Sequence, residues 1–141
     1  MFVMSPKVSD EIESFLQEWQ QDELSLRSWF SRYFEALAAM KGVEMTFVAR
    51  PGVSYSLRPR STKEGSRPLF AMVDVIDDEP AARWLSVCFY GDLISDPDER
   101  GEVIPGGLQG EDGYCFDLME NDADLGAYIL ARLQEAAATG R

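Results

Sequence analysis

The chain has 141 residues, 45% hydrophobic, 11% aromatic and 27% charged, with 25 acidic against 13 basic side chains, a formal net charge of −12 and no histidine. Those figures describe one ordinary globular domain over residues 1–141 and argue against disorder, collagen-like repeats and a disulfide scaffold. The negative field disfavours nucleic acid and anionic membrane surfaces, whose phosphates demand cations, and suits a cationic partner or plain solubility. The missing imidazole excludes Ser-His-Asp and Cys-His catalysis, His-ligated zinc and an imidazole pH switch.

In chain order, Ser9 is placed to cap a first helix. Asp10, Glu11 and Glu13 put negative charge on its first turn, and Ile12, Phe15, Leu16 and Trp19 share one face. A second helix is predicted over about 23–40, where Leu26, Trp29, Phe30, Tyr33, Phe34, Leu37 and Met40 form an apolar stripe, followed by Gly42 as a C′ glycine.

The period then changes from 3.6 to 2. Residues 43–49 read as a strand, 50–52 as a turn, and 53–58 alternate, with Val53, Tyr55 and Leu57 on one side and Ser54, Ser56 and Arg58 on the other. A polar loop over 59–68 leads to two apolar strands, 69–76 and 83–90, joined by a turn at 77–80. Apolar residues at both parities predict that these two are central and covered on both faces. Residues 91–113 read as a long connection rich in Gly, Pro and acids, the kind of segment that is often functional. A short strand at 114–118 precedes a last helix, capped by Asn121 or Asp122, with Leu125, Tyr128, Ile129 and Leu133 on its apolar face. The expected fold is α+β: a mainly antiparallel sheet of about five strands packed by two N-terminal helices and one C-terminal helix.

Cys88 and Cys115 are not spaced as a redox CxxC pair or a zinc knuckle. Each lies in an apolar run, which predicts buried structural thiols, and the sequence leaves open whether they are close. The start of the chain lacks the basic and long apolar regions of a signal peptide, and no apolar run is long enough for a membrane span. A cytoplasmic location with reduced thiols is expected.

Charge is uneven. Arg50, Arg58, Arg60, Lys63 and Arg67 are set against one acid, Glu64, in the 50–67 hairpin. Such a flap could grip an anion or a nucleic-acid single strand, with Tyr55 or Phe47 stacking, although the global field favours a solvated rim. Asp96, Asp98 and Gly101 match the first positions of an EF-hand loop, but Arg100 and Gly107 stand where ligands belong, so that motif fails. A looser hard-metal site from Asp92, Asp96, Asp98 and Asp117 remains as an expectation, against turn-forming and capping roles for the same residues. The glycine-rich stretch 106–110 is neither a P-loop nor a dinucleotide fingerprint. Asp74 sits in an apolar strand, and Arg83 on the next strand is its expected ion-pair partner.

The order of helices, small antiparallel sheet and closing helix, with the central strand Trp84-Leu85-Ser86-Val87-Cys88-Phe89-Tyr90, resembles small bacterial α+β proteins of the YdhG-like kind over residues 23–138. That resemblance is one of element order and carries over no functional residue.

The leading expectation is a non-enzymatic, cofactor-free module that binds a protein or small ligand through the 91–113 segment beside the sheet. A metal-dependent enzyme or metal binder built on Asp92, Asp96, Asp98 and Asp117 is the alternative. An anion or single-strand binder built on Arg50, Arg58, Arg60, Lys63 and Arg67 is the third. Three Trp, eight Phe and five Tyr are many for one small core, so a homodimer is also expected.

Overall fold

A computed structural model describes residues 6–108 and 110–139; the expectations touching the first five residues and Gln109 lie outside them. The elements are α1 (Pro6–Glu18), α2 (Arg27–Ala38), β1 (Val43–Arg50), β2 (Ser54–Ser61), β3 (Ala71–Ile76), β4 (Trp84–Tyr90), a 3-10 turn (Gly91–Leu93), β5 (Glu102–Leu108), β6 (Glu111–Leu118) and α3 (Ala123–Thr139). The six strands form one antiparallel sheet in the order β1-β2-β3-β4-β6-β5. The fold is α+β, and none of its described helices is long and apolar enough to cross a membrane.

Strand alternation builds the core. Val43 and Met45, Tyr55 and Leu57, Ala71, Val73 and Val75, Leu85, Val87 and Phe89, and Phe116 and Leu118 are buried together with Phe15, Trp19, Phe30, Leu37, Ile129 and Leu133 from the helices. All three helices therefore lie on one face of the sheet. The α2–α3 contact needs a glycine: a Cβ on Gly126 would fall 2.5 Å from the Trp29 ring. The Trp29 indole N–H donates to Asn121 Oδ1 at 2.9 Å, and the Tyr33 hydroxyl donates to the Gly126 carbonyl at 2.9 Å.

The helix ends differ in part from expectation. The described part of α1 runs from Pro6, so Ser9 lies inside the helix rather than at its N-cap. α2 begins at Arg27, where the Asp22 carboxylate accepts the amides of Leu26 and Arg27 at 2.9 and 3.2 Å. α2 ends at Ala38, and Gly42 serves the turn into β1 with φ +73°. Asp122 caps α3 as expected, accepting the amides of Asp124 and Leu125.

The 91–113 connection contains a sixth strand. β5 is an edge strand carrying Pro105, Gly106 and Gly107, and its pairing with β6 shifts register between Ile104 and Leu108. β3 and β4 are central, but the helices cover only one face; Met72, Asp74, Ile76, Trp84, Ser86 and Cys88 are half-buried on the other. Cys88 and Cys115 sit directly opposite each other on that outer face, Cα to Cα 4.1 Å, and form a disulfide. They are half-buried rather than buried, and bonded rather than reduced. Their 27-residue separation corresponds to a chain-entropy stabilisation of about 3.5 kcal/mol.

Arg83 pairs with Asp77, not with Asp74. Its Nε donates to Asp77 Oδ1 at 2.7 Å and its Nη2 to Glu18 Oε1 at 2.9 Å. Arg83 and Asp77 are 3% and 2% exposed, so this is a buried ion pair. Removing one partner of such a pair strands the other charge, at a cost of about 3–5 kcal/mol. Arg83→Ala is expected to lower unfolding stability by that amount in urea titration, whereas Arg60→Ala, whose partner Glu44 is at the surface, is expected to change it by about 0–1 kcal/mol.

Candidate functional site

Of the carboxylates expected to hold a metal, Asp92 and Asp96 are engaged by different partners, and Asp98 and Asp117 are exposed. Asp92 receives both Nη atoms of Arg67, at 2.8 and 3.0 Å, and that pairing draws its carboxyl below the usual range. Asp96 accepts four donors: the amides of Arg100 and Gly101 at 2.9 and 3.0 Å, the Tyr114 hydroxyl at 2.6 Å, and the Tyr128 hydroxyl. Desolvation pushes its carboxyl up, but the two hydroxyls and two amides outweigh it and hold the group well below the carboxylate range. The same bond pushes the Tyr114 phenol up to about 12. Asp98 is exposed, and its amide donates to the Tyr128 hydroxyl. Asp117 is exposed on β6, opposite Ser86. Among the described residues no three His, Cys, Asp or Glu side chains are grouped to hold a metal ion.

Asp96 therefore organises its loop. Gly101 must be glycine there, since a Cβ would stand 2.3 Å from the Tyr114 ring. Glu99 takes φ +53° to complete the turn whose carbonyl and carboxylate Asp96 supplies. Ser95 is held in turn by Glu135 on α3, through its amide and hydroxyl at 2.9 Å each.

The basic set divides between the β1–β2 hairpin and the loop that follows it. Arg67 lies 4.1 Å over the Tyr90 ring and also reaches Glu111 at 3.1 Å, which ties the 62–70 loop to the far side of the sheet. Arg60 pairs with Glu44 across β1 and β2. Arg50 and Arg58 lie on the outer face with Asp74, and Arg58 Nε donates to Ser56 Oγ at 3.0 Å. Burial raises the Asp74 carboxyl, while Ser56, Arg58 and Arg50 pull it down. Lys63 sits in the polar loop after β2, its amide donating to Ser61 Oγ.

A concavity of about 750 Å3 opens between α1 and the β1–β2 hairpin. Phe15, Phe47 and Tyr55 form its floor, with ring centroids 4.2 Å apart for Phe15–Tyr55, 5.7 Å for Phe15–Phe47 and 6.2 Å for Phe47–Tyr55. Lys7, Asp10, Glu11 and Glu18 make the rim. Beneath the floor, the Arg83 guanidinium stands 5.2 and 5.4 Å from the Phe15 and Tyr55 centroids. Burial, then the carboxylates of Asp77 and Glu18, push the Tyr55 phenol up, so that ring stays neutral. The groove went unread in the sequence because its residues come from three elements. Its signal was the polar stripe at 7, 11, 14 and 18, one helical face running beside the apolar stripe of α1.

Comparison of the chain with family models, with curated proteins and with solved structures gives no match.

The lowered Asp96 pKa sets a pH dependence. Its stabilisation is complete above the unfolded carboxylate value, about 4, and is lost as pH falls through and below it. Stability measured by denaturant titration from pH 6 to pH 2.5 is expected to fall more steeply in the wild type than in Asp96→Asn, which is also expected to be the less stable of the two at pH 6.

Proposed function

We propose that this protein is a binding module whose ligand is an organic cation on an apolar body, such as a lysine or arginine side chain of a partner peptide, received in the groove between α1 and the β1–β2 hairpin. The observation that carries this reading is the juxtaposition of the Phe15–Phe47–Tyr55 floor with the Asp10, Glu11 and Glu18 rim. Aromatic faces attract cations through the ring quadrupole, and carboxylates around an apolar floor add charge without excluding a hydrophobic stem. The chain's net charge of −12 works in the same direction, raising the local concentration of cationic partners. A groove of this size lies within the usual range for ligand sites.

Isothermal titration with a tetraalkylammonium salt and with a short Lys/Arg-containing peptide tests it. Saturable, salt-sensitive binding is expected. Phe47→Ala is expected to weaken it about tenfold, the equivalent of 1.4 kcal/mol, which lies within the cation–π range. Asp10→Asn with Glu11→Gln is expected to weaken it and flatten its salt dependence. Absence of saturable binding, or equal binding of an anionic peptide, would overturn the reading.

A further inference from the structure

The face of the sheet turned away from the helices carries the Cys88–Cys115 bridge in a groove of about 460 Å3, walled by Trp84, Ser86, Glu102, Ile104 and Asp117. Three observations set this bridge apart from a structural staple. Both cysteines are half-exposed, and both line the groove. The bridge joins strands that are already bound: Cys88↔Cys115 lies within a six-pair register running from Leu85↔Leu118 to Tyr90↔Gly113. The apolar packing of β4 and β6 is on the other face, through the fully buried Val87, Phe89, Phe116 and Leu118. Backbone pairing and core contacts therefore hold the strands whether or not the sulfurs are bonded. Ser86 Oγ also lies 3.8 Å from Cys88 Sγ, within donor distance of a sulfur there. Accessible disulfides are the ones that exchange, and a thiol whose anion is hydrogen-bonded leaves faster.

We propose that Cys88–Cys115 is a thiol–disulfide exchange site that admits a small-molecule thiol to this groove. An external thiolate attacks Cys115 Sγ, the S–S bond breaks, and its electron pair leaves on Cys88 Sγ, where the Ser86 hydroxyl donates to the new thiolate. Cys88 then takes a proton from water. A second external thiolate attacks the external sulfur of the mixed disulfide, and Cys115 departs as a thiolate that is protonated in turn. Two external thiols become one disulfide, and their two electrons and two protons convert the protein disulfide to a dithiol.

The test is treatment of the full chain with 2-mercaptoethanol in native buffer, with iodoacetamide trapping, mass mapping and circular dichroism. The expected result is two alkyl groups taken up, the transient mixed disulfide mapped to Cys115, and a far-UV spectrum and cooperative thermal transition that persist after reduction. Hydroxyethyl disulfide is expected to restore the bridge. Ser86→Ala, an outer-face change that leaves the core untouched, is expected to slow native reduction several-fold. A bridge that opens only under denaturing conditions, loss of the folded spectrum on reduction, or failure to re-form with the added disulfide would overturn the exchange site. A mixed disulfide mapped to Cys88, or an unchanged rate in Ser86→Ala, would overturn the assigned direction of attack.

Discussion

A single buried guanidinium fixes the geometry on the helix side of the sheet. Arg83 is enclosed by the rings of Phe15, Trp19 and Tyr55 at 5.2, 5.6 and 5.4 Å and is bonded to Asp77 and Glu18. Asp77 uses its other oxygen to accept the Gly52 amide at 2.7 Å, and its own amide donates to the Val53 carbonyl. The end of α1, the β1–β2 turn and the β3–β4 turn thus converge on one charge. A buried cation tolerates no arrangement that leaves it unpaired, because the penalty of an uncompensated charge exceeds most packing differences. That requirement orients Phe15 and Tyr55, and so sets the floor of the groove beside α1.

The remaining charges divide between ties and surplus. Arg67 joins the loop after β2 to Asp92 and Glu111, Arg60 joins β2 to β1 through Glu44, and Arg100 joins the Asp96 turn to Asp122 at 3.6 Å. Each of these three cations meets a carboxylate from a different element, so Arg60 and Arg67 of the basic hairpin are engaged in ties within the fold. On the rim of the α1 groove Glu18 is bonded to Arg83, while Asp10 and Glu11 add acids beyond that pairing. The rim formed by Asp10, Glu11 and Glu18 has Lys7 and, below it, Arg83 as its cations, and Arg83 is shared between Asp77 and Glu18. The acidic surplus therefore gathers around an apolar floor, a setting suited to a cation that brings its own apolar stem.

Element order, the antiparallel sheet and the faces of the helices were legible in the sequence because period 3.6 and period 2 report directly which side chains face a core. Pairings across elements were less so. The Asp74–Arg83 expectation followed nearness along the chain. Strand parity argues otherwise: Asp74 shares its face with Met72 and Ile76, whereas Asp77 follows Val73 and Val75 inward, as Arg83 precedes Leu85 and Val87. The cysteines obey the same parity, each falling between inward residues, Val87 and Phe89 for one and the Phe116 side for the other. Their outward position was thus available, but their register was not, since it depends on β4 pairing with β6 rather than with β5, the next strand in sequence. β5 was invisible for a different reason. Pro105, Gly106 and Gly107 have poor strand propensity, and an edge strand with a register shift can hold them because one of its sides pairs with no other strand among the described residues.

The two concave regions lie on opposite faces and different strands. The α1 groove rests on β1 and β2 with the Arg83 cage beneath it; the disulfide groove rests on β4, β6 and the edge strand β5. Between them stands β3, whose inward Ala71, Val73 and Val75 are fully buried and whose outward Asp74 is flanked by Ser56 and Ser86. Asp74 has one buried oxygen without a hydrogen-bond partner. An incompletely satisfied carboxylate in the middle of an open face is costly unless the surrounding sheet is rigid enough to hold it. That rigidity cannot come from the disulfide alone, which spans only β4 and β6. It comes from the packed layer behind the strands, so the outer face can exchange its sulfur chemistry while the helix face, with its ion pair and aromatic floor, keeps its geometry.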